Sequence, residues 1–414
     1  MNICNDIEIM SPAGDFSSLT AAGQGGANAI YFGLGTLNMR ARSANNFSLS
    51  DLPRIIDACG HYGLRSYLTL NTILYDNELE EVYRLIDAAK QAGVSAVIAS
   101  DMLVIQRARA CGMEVHLSTQ LNISNVEALR FYAAFADVAV LARELDLHQV
   151  AHIYNTIERE RITGPSGNLI KLEMFCHGAL CMAVSGKCYL SLHEYNASAN
   201  RGSCYQLCRR GYTVTDNDTE RQLAIDNEYI MSPKDLCTIG FIDKILAAGV
   251  RVLKIEGRAR SAEYVKTVTS AYSEAVQAVA NGSYTPELIA ELTAKLQTVF
   301  NRGFWDGYYQ GARLGEWSDS YGNRSTKQKI YVAKATNYYG NLEVAEFLME
   351  TGTLQQGDEI LIVGPTTGVV EDRVREIRVE LQPVERVEKG SYFSIPVPQK
   401  IRRADKLYKL EEKK

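Results

Sequence analysis

No apolar run in this 414-residue sequence approaches the length of a membrane span. Met1–Met10 carries acids but no basic stretch of the kind that opens a secretory signal. A cytoplasmic protein without membrane attachment is therefore expected. Positive charge is not in excess: the formal net charge is −5. That argues against bulk, sequence-blind nucleic-acid binding but leaves room for a local basic patch. No repeat array or low-complexity segment is visible. No dinucleotide glycine fingerprint follows the first apolar run. No G-x-S-x-G elbow and no H-E-x-x-H helix is present, so two common hydrolytic devices are missing.

The composition is ordinary for a globular protein, with 46% apolar and 22% charged residues, and the length suits two or three domains. Short apolar runs alternate with amphipathic stretches over the first 260 residues. The runs are Ile7–Met10, Ala29–Leu34, Ser66–Leu70, Ala96–Ala99, Glu114–Leu117, Val138–Leu141, Leu169–Phe175 and Val252–Ile255. Gly25, Gly63, Gly93 and Gly112 follow the first four helical patterns, where a C-cap favours positive φ. This pattern predicts an α/β fold, a (β/α)8 TIM-barrel-like domain, over 1–260. The alternative is an open doubly wound sheet. A cysteine-rich insertion at about 176–250 would fall after the seventh strand, on the face where such barrels hold their active sites. A helical extension and linker is expected over 261–325. A small β-barrel is expected over 326–414, where β-rich runs alternate with glycine turns.

Nine cysteines without a secretory signal should be thiols or metal ligands. Cys4, Cys59, Cys111 and Cys176 sit singly and read as small buried hydrophobes. The other five are clustered. Six residues separate Cys181 from Cys188, fifteen separate Cys188 from Cys204, and three separate Cys204 from Cys208. Thiolates suit zinc and Fe–S clusters. A zinc ribbon would show two close knuckles, and only Cys204/Cys208 resembles one. A radical-type centre would need C-x3-C-x2-C, which is absent. The wide spacing fits a cluster better. Cys208 is preferred as fourth ligand, with Cys237 in SPKDLC as the alternative.

EMFCHGALCMAVSGKCYLS (Glu173–Ser191) resembles the signature of the collagenase-like peptidases, a family of unassigned mechanism. SPAGD, GGANAIYFGL, RGSCYQLCR, SPKDLC, KIEGR and FNRGF also match, so the resemblance spans nearly the whole chain. Within that family the layout is most similar to the tRNA uridine 5-hydroxylation proteins. Longer relatives hydroxylate a cytidine in 23S rRNA, and shorter ones serve ubiquinone synthesis. The resemblance implies a [4Fe–4S] cluster on Cys181, Cys188, Cys204 and Cys208, with Cys237 the candidate where the ligand set resembles the ubiquinone branch. It also implies hydroxylation of wobble uridine to 5-hydroxyuridine with prephenate as hydroxyl source, tRNA as partner, and a homo- or hetero-oligomer with a related family member. A peptidase, as the family label states, and a non-catalytic Fe–S scaffold for a partner enzyme are the alternatives.

Other candidates sit at the predicted strand ends. Glu256, Arg258 and Arg143 suit catalysis, or else a mutual salt bridge of Glu256 and Arg258 closing the barrel. Arg40, Arg42, Gln120, Arg209 and Arg210 suit substrate binding, because guanidinium forks take phosphate or carboxylate. Ser118, Thr119 and Asn71 lie nearby, and Asp101 suits a helix cap. Lys187 and Arg201 flank the cysteines. Tyr189, Tyr195 and Tyr205 could stack on an unpaired base. His148 and His152 share a helix face and could hold a metal, although an exposed face is the commoner outcome. His177 beside Cys176 would need to share its face, which strand geometry opposes.

Overall fold

The computed structural model describes residues 6–213, 215–220, 231–311, 315–319 and 322–413. Cys4 lies outside them. Eight parallel strands form the first domain: Glu8–Pro12, Ala29–Phe32, Arg65–Leu70, Ala96–Ala99, Glu114–Leu117, Val138–Val140, Lys171–Gly178 and Val250–Ile255. Each of the first seven pairs with the next, and the eighth pairs with both the first and the seventh. The sheet therefore closes into the expected (β/α)8 barrel. The runs are short and apolar because both strand faces are buried, one against helices and one inside the barrel. Met10, Ala29, Tyr31, Tyr67, Ala96, Ile98, Val138 and Val252 form the inner cluster.

Helices alternate with the strands. Asp15 and Asp101 cap the first and fourth helices through Ser18 N and Leu103 N. Gly63, Gly93 and Gly112 take positive φ, as a C-cap requires. Gly25 does not: its φ is −79°, and Gly26 next to it makes the left-handed turn at +83°. The helix Ala262–Asn281, read from sequence as the start of an extension, packs on helix Phe16–Gln24 and on the first strand. It serves as the barrel's eighth helix.

The insertion falls between the seventh strand and its short helix, Ile242–Ala247. It contains one strand that the sequence reading lacked. Asp235–Cys237 pairs antiparallel with the seventh strand and parallel with Phe304–Trp305. The C-terminal region folds as an eight-stranded antiparallel sheet, with a two-stranded ribbon of Thr353–Gln355 and Arg386–Glu388. Phe347, Phe393, Ile362 and Leu407 lie in its own core. Gln24 of the barrel joins it: its side chain accepts from Val369 N and donates to Thr367 O.

Gly178 ends the seventh strand with φ +105°, and a Cβ there would sit 2.4 Å from Glu256 O. Both conditions demand glycine. Gly178→Ala is expected to lower stability by roughly 2–4 kcal/mol in chemical denaturation. Gly282→Ala, at φ +72° in open space, should cost only about 1 kcal/mol. Equal costs would contradict the close-approach argument.

Candidate functional site

A cavity of about 210 Å³ opens at the C-terminal ends of the barrel strands, walled on one side by the insertion. Its lining holds seven basic side chains, Arg40, Arg143, Arg209, Lys254, Arg258, Arg260 and Arg302, against one carboxylate, Glu256. Glu256 follows the eighth strand and is reached from the loop after the second: Arg40 Nε and Nη2 donate to its Oε1 at 3.1 and 2.9 Å. Burial pushes the carboxyl pKa up, but Arg40 first, then Arg143 and Arg258, outweigh it and hold it below the ordinary glutamate value. The cation paired with Glu256 is thus Arg40, and the alternative of a Glu256–Arg258 bridge is not what forms.

Arg258 instead donates to Thr69 Oγ1 and Asn38 Oδ1, both at 2.9 Å. Its burial lowers the guanidinium pKa to about 10. Its path requires glycine on two neighbouring strands' loops. A Cβ on Gly14 would lie 2.1 Å from Arg258 O, and one on Gly33 would lie 2.4 Å from its Nη1. Arg143 lies over the Phe175 ring at 4.0 Å, and its Nε is buried without a hydrogen-bond partner. Gln120 lines the cavity and accepts from Ser118 Oγ, which also receives a bond from Asn71 Nδ2 at 3.2 Å.

The insertion is stitched to the barrel loops. Arg201 grips Glu78 with both terminal nitrogens at 2.6 and 2.7 Å and donates to Ile73 O. Ile73 N donates to Asn200 O, Arg42 N to Gly202 O, and Asn122 Nδ2 to Ser185 O. Arg209, expected to bind substrate, reaches the cavity but spends its guanidinium on the carbonyls of Leu180 and Pro233 and on Ser232 Oγ. It is a clamp within the insertion.

Arg42 and Arg210 are not among the residues lining this cavity. They end a rim stack in which Arg42 covers Tyr205 at 3.9 Å, Tyr205 and Tyr195 stack at 4.7 Å, and Arg210 Nη1 donates to Tyr195 Oη at 3.1 Å. Tyr189 is exposed nearby in sequence. His148 and His152 lie on an exposed helix face. His177 sits in an aromatic cage of Tyr264, Tyr272 and Phe304, while Cys176 Sγ contacts Lys254 O.

Cys181, Cys204 and Cys208 line the cavity, and Cys188 lies close enough to Cys181 and Cys204 for their charges to act on it. Burial pushes the Cys208 thiol up to about 11; Arg209 opposes this, while Cys181, Cys204 and Cys188 add to it. Cys237 stands apart. It is buried in the core with Tyr272 Oη 4.0 Å from its sulfur, and its thiol is pushed up to about 12 by burial. Among the described residues no group of three or more His, Cys, Asp or Glu is drawn into metal-holding contact. The donor chemistry nevertheless fits a thiophilic group: three free thiols line one wall with Cys188 beside two of them, and a cationic centre there would reverse their mutual repulsion.

Three cavity cations went unassigned in the sequence: Lys254, Arg260 and Arg302. Lys254 could have been found, because it lies two residues before Glu256 and so on the same inward face.

The molecule is therefore a (β/α)8 barrel with a thiol-bearing insertion over a cationic cavity at the C-terminal ends of its strands. It belongs to peptidase family U32, whose model matches residues 14–319. A "Collagenase" of Porphyromonas gingivalis is 59% identical over 413 residues, covering 100% of both chains. "tRNA hydroxylation protein P1" of Bacillus subtilis is 30% identical over 366 residues, 86% of this chain and 83% of that protein. "23S rRNA 5-hydroxycytidine C2501 synthase" of Escherichia coli is 36% identical over 321 residues, 75% of this chain and 46% of that one.

The Glu256–Arg40 pair has a defined pH signature. A carboxylate with a lowered folded pKa contributes stability above its unfolded value of about 4.3, which is lost as pH falls through the folded value. Arg40→Ala is expected to cost about 1–3 kcal/mol near neutral pH. The gap to wild type should narrow as the solution is acidified below about pH 4. A gap that stays constant in pH-dependent denaturation would show that the charge pair is not its source.

Proposed function

We propose that this chain is an RNA-modifying enzyme that hydroxylates the wobble uridine of tRNA to 5-hydroxyuridine. In this reading Cys181, Cys188, Cys204 and Cys208 hold a [4Fe–4S] cluster, and prephenate supplies the hydroxyl group. The observation that carries it is an arginine-rich cavity at the C-terminal ends of the barrel strands lined by Cys181, Cys204 and Cys208, with Cys188 beside them. The names of the tRNA and rRNA hydroxylation relatives support it. The cluster, when bound, would supply redox or Lewis-acid chemistry.

The chain's own residues have separable tasks. Arg143 and Lys254 offer cations to a dicarboxylate. Glu256, kept ionised by Arg40, is a fixed acceptor for a ligand hydroxyl or amide. The Arg42–Tyr205–Tyr195–Arg210 stack presents planar faces at the rim, suited to an unpaired base next to the target.

The collagenase relative favours a second reading, hydrolysis of peptides. That chemistry needs an activated nucleophile with a base. Burial raises the Cys176 thiol well above its ordinary range and lowers His177 to about 3, which is the wrong direction for both. A scaffold role would leave Glu256→Gln and Arg258→Ala functional in cells while cysteine changes were lethal to function.

Deleting the gene in cells grown without oxygen, so that no oxygen-dependent route substitutes, should deplete 5-hydroxyuridine derivatives in bulk tRNA by mass spectrometry. Wild type should restore them and Cys188→Ser should not. Unchanged nucleosides, together with gelatin cleavage by the purified protein, would favour the peptidase. Each of Cys181→Ser, Cys188→Ser, Cys204→Ser and Cys208→Ser should also lose most iron after anaerobic purification, whereas Cys237→Ser should keep it. Iron lost only from Cys237→Ser would reassign the ligands.

A further inference from the structure

Barrel interiors of this kind are usually filled by branched apolar side chains. This one carries six ionisable groups that alternate in charge from one mouth to the other: Lys254, Glu173, His116, Glu114, Arg65 and Glu8. Lys254 Nζ donates to Glu173 Oε1 at 2.7 Å. His116 Nε2 meets Glu114 Oε1 at 3.0 Å. Arg65 joins Glu114 at 2.5 Å and Glu8 at 3.4 Å. The upper end, Lys254, lines the cationic cavity. The lower end opens into a second pocket of about 370 Å³, lined by Glu8, Arg65 and Glu114, at the opposite end of the strands.

One joint is open. His116 Nδ1 and Glu173 Oε2 face each other at 3.5 Å, and both are buried without a hydrogen-bond partner. A fully buried carboxylate requires a countercharge. Glu173 has two within reach, the Lys254 ammonium above and a His116 imidazolium below. With the ring neutral and Nδ1 unprotonated, two lone pairs oppose each other and Lys254 alone neutralises the carboxylate.

We propose that Lys254 is an anion-binding residue of the cavity, released for that task when His116 is protonated and takes over the neutralisation of Glu173. One proton from solvent adds to His116 Nδ1, the Nδ1–H bonds to Glu173 Oε2, and Lys254 Nζ is free to turn to an anionic group. Anion binding and proton uptake are thereby linked. The groups facing His116 are Glu114 on its own strand, Glu173 from the seventh strand and the Tyr67 ring at 4.5 Å from the third. Arg65 and Lys254 act on it through the two carboxylates. Burial disfavours the charged ring, but Glu114 and Glu173 outweigh that and raise its pKa above the ordinary value. The inference does not depend on RNA or on the cluster, because it concerns only the cavity's anion affinity.

Isothermal calorimetry with sulfate as probe, on the full chain as purified, tests it. Sulfate stays a dianion over the range about pH 6 to 8.5, which brackets a raised histidine. Wild type should bind with net proton uptake, measured in buffers of different ionisation enthalpy. Its affinity should fall by up to tenfold per pH unit above the His116 pKa. His116→Gln should bind sulfate without His-linked uptake and with a flat pH profile, and Lys254→Met should weaken binding at least tenfold. If His116→Gln fails to fold, nitrogen-15 histidine spectra of wild type provide the readout: Nδ1 should gain a proton when sulfate is added at fixed pH. No sulfate binding, binding without proton uptake, an unchanged pH profile in His116→Gln, wild-type affinity in Lys254→Met, or an unmoved ring would each overturn the proposal.

Discussion

Glu256 is an ionised carboxylate withdrawn from water at the end of the eighth strand, and the mouth of the barrel is organised around keeping it charged. Arg40 crosses from the loop after the second strand to reach it. That crossing fixes the loop from Asn38 to Ala44. Asn38 in turn accepts from Arg258, and Asn38 O lies where a Cβ on Gly202 would stand, at 2.4 Å. The same loop receives the insertion through Arg42 N and Gly202 O. The position of the thiol-bearing segment over the cavity is thus tied to one charge pair. Losing Arg40 would leave Glu256 buried among fewer cations, the costly state for any buried ion.

The cavity's composition follows from the same electrostatics. Arg258, Arg209 and Arg302 are already committed, to Asn38 and Thr69, to backbone carbonyls, and to Asp235. With Arg40 held by Glu256, what remains to meet a ligand is narrower than the lining suggests: Arg143, with an unpartnered Nε, Arg260, over the Phe300 ring, and Lys254, shared with Glu173. The clustered thiols repel one another as they ionise, and Cys208 is raised by burial first and then by its three cysteine neighbours. Surrounding cations relieve this repulsion, as a bound metal group would. Cations and thiols therefore belong together on this face.

The barrel strands were legible because a strand buried on both faces is mostly apolar, and eight such runs alternate with amphipathic stretches. The cysteine cluster was legible because four thiols in a polar, glycine-rich stretch have no packing explanation. Other features were hidden for identifiable reasons. Asp235–Cys237 is three residues long and is a strand only because the seventh strand offers it an edge. The final strand, Lys406–Glu412, carries four charged residues in seven, yet it pairs on both sides within the C-terminal sheet. Its lysines and glutamates fall on both faces of the strand and mask a period of two. Arg42 and Arg210, expected to bind substrate, stand at the rim against Tyr205 and Tyr195 and outside the cavity lining. His116 and Glu173 gave no signal, since spacing along the chain does not reveal that strands five and seven aim them at each other across a barrel.

The central claim is that Cys181, Cys188, Cys204 and Cys208 together hold an iron–sulfur cluster beside the Glu256–Arg40 pair. Anomalous diffraction at the iron edge, from crystals grown without oxygen, tests it most directly. The account predicts a strong iron peak enclosed by those four sulfurs, with Cys237 remote from it. A peak bounded by Cys237 instead of Cys208, or a zinc signal at the four thiols with no iron, would contradict it.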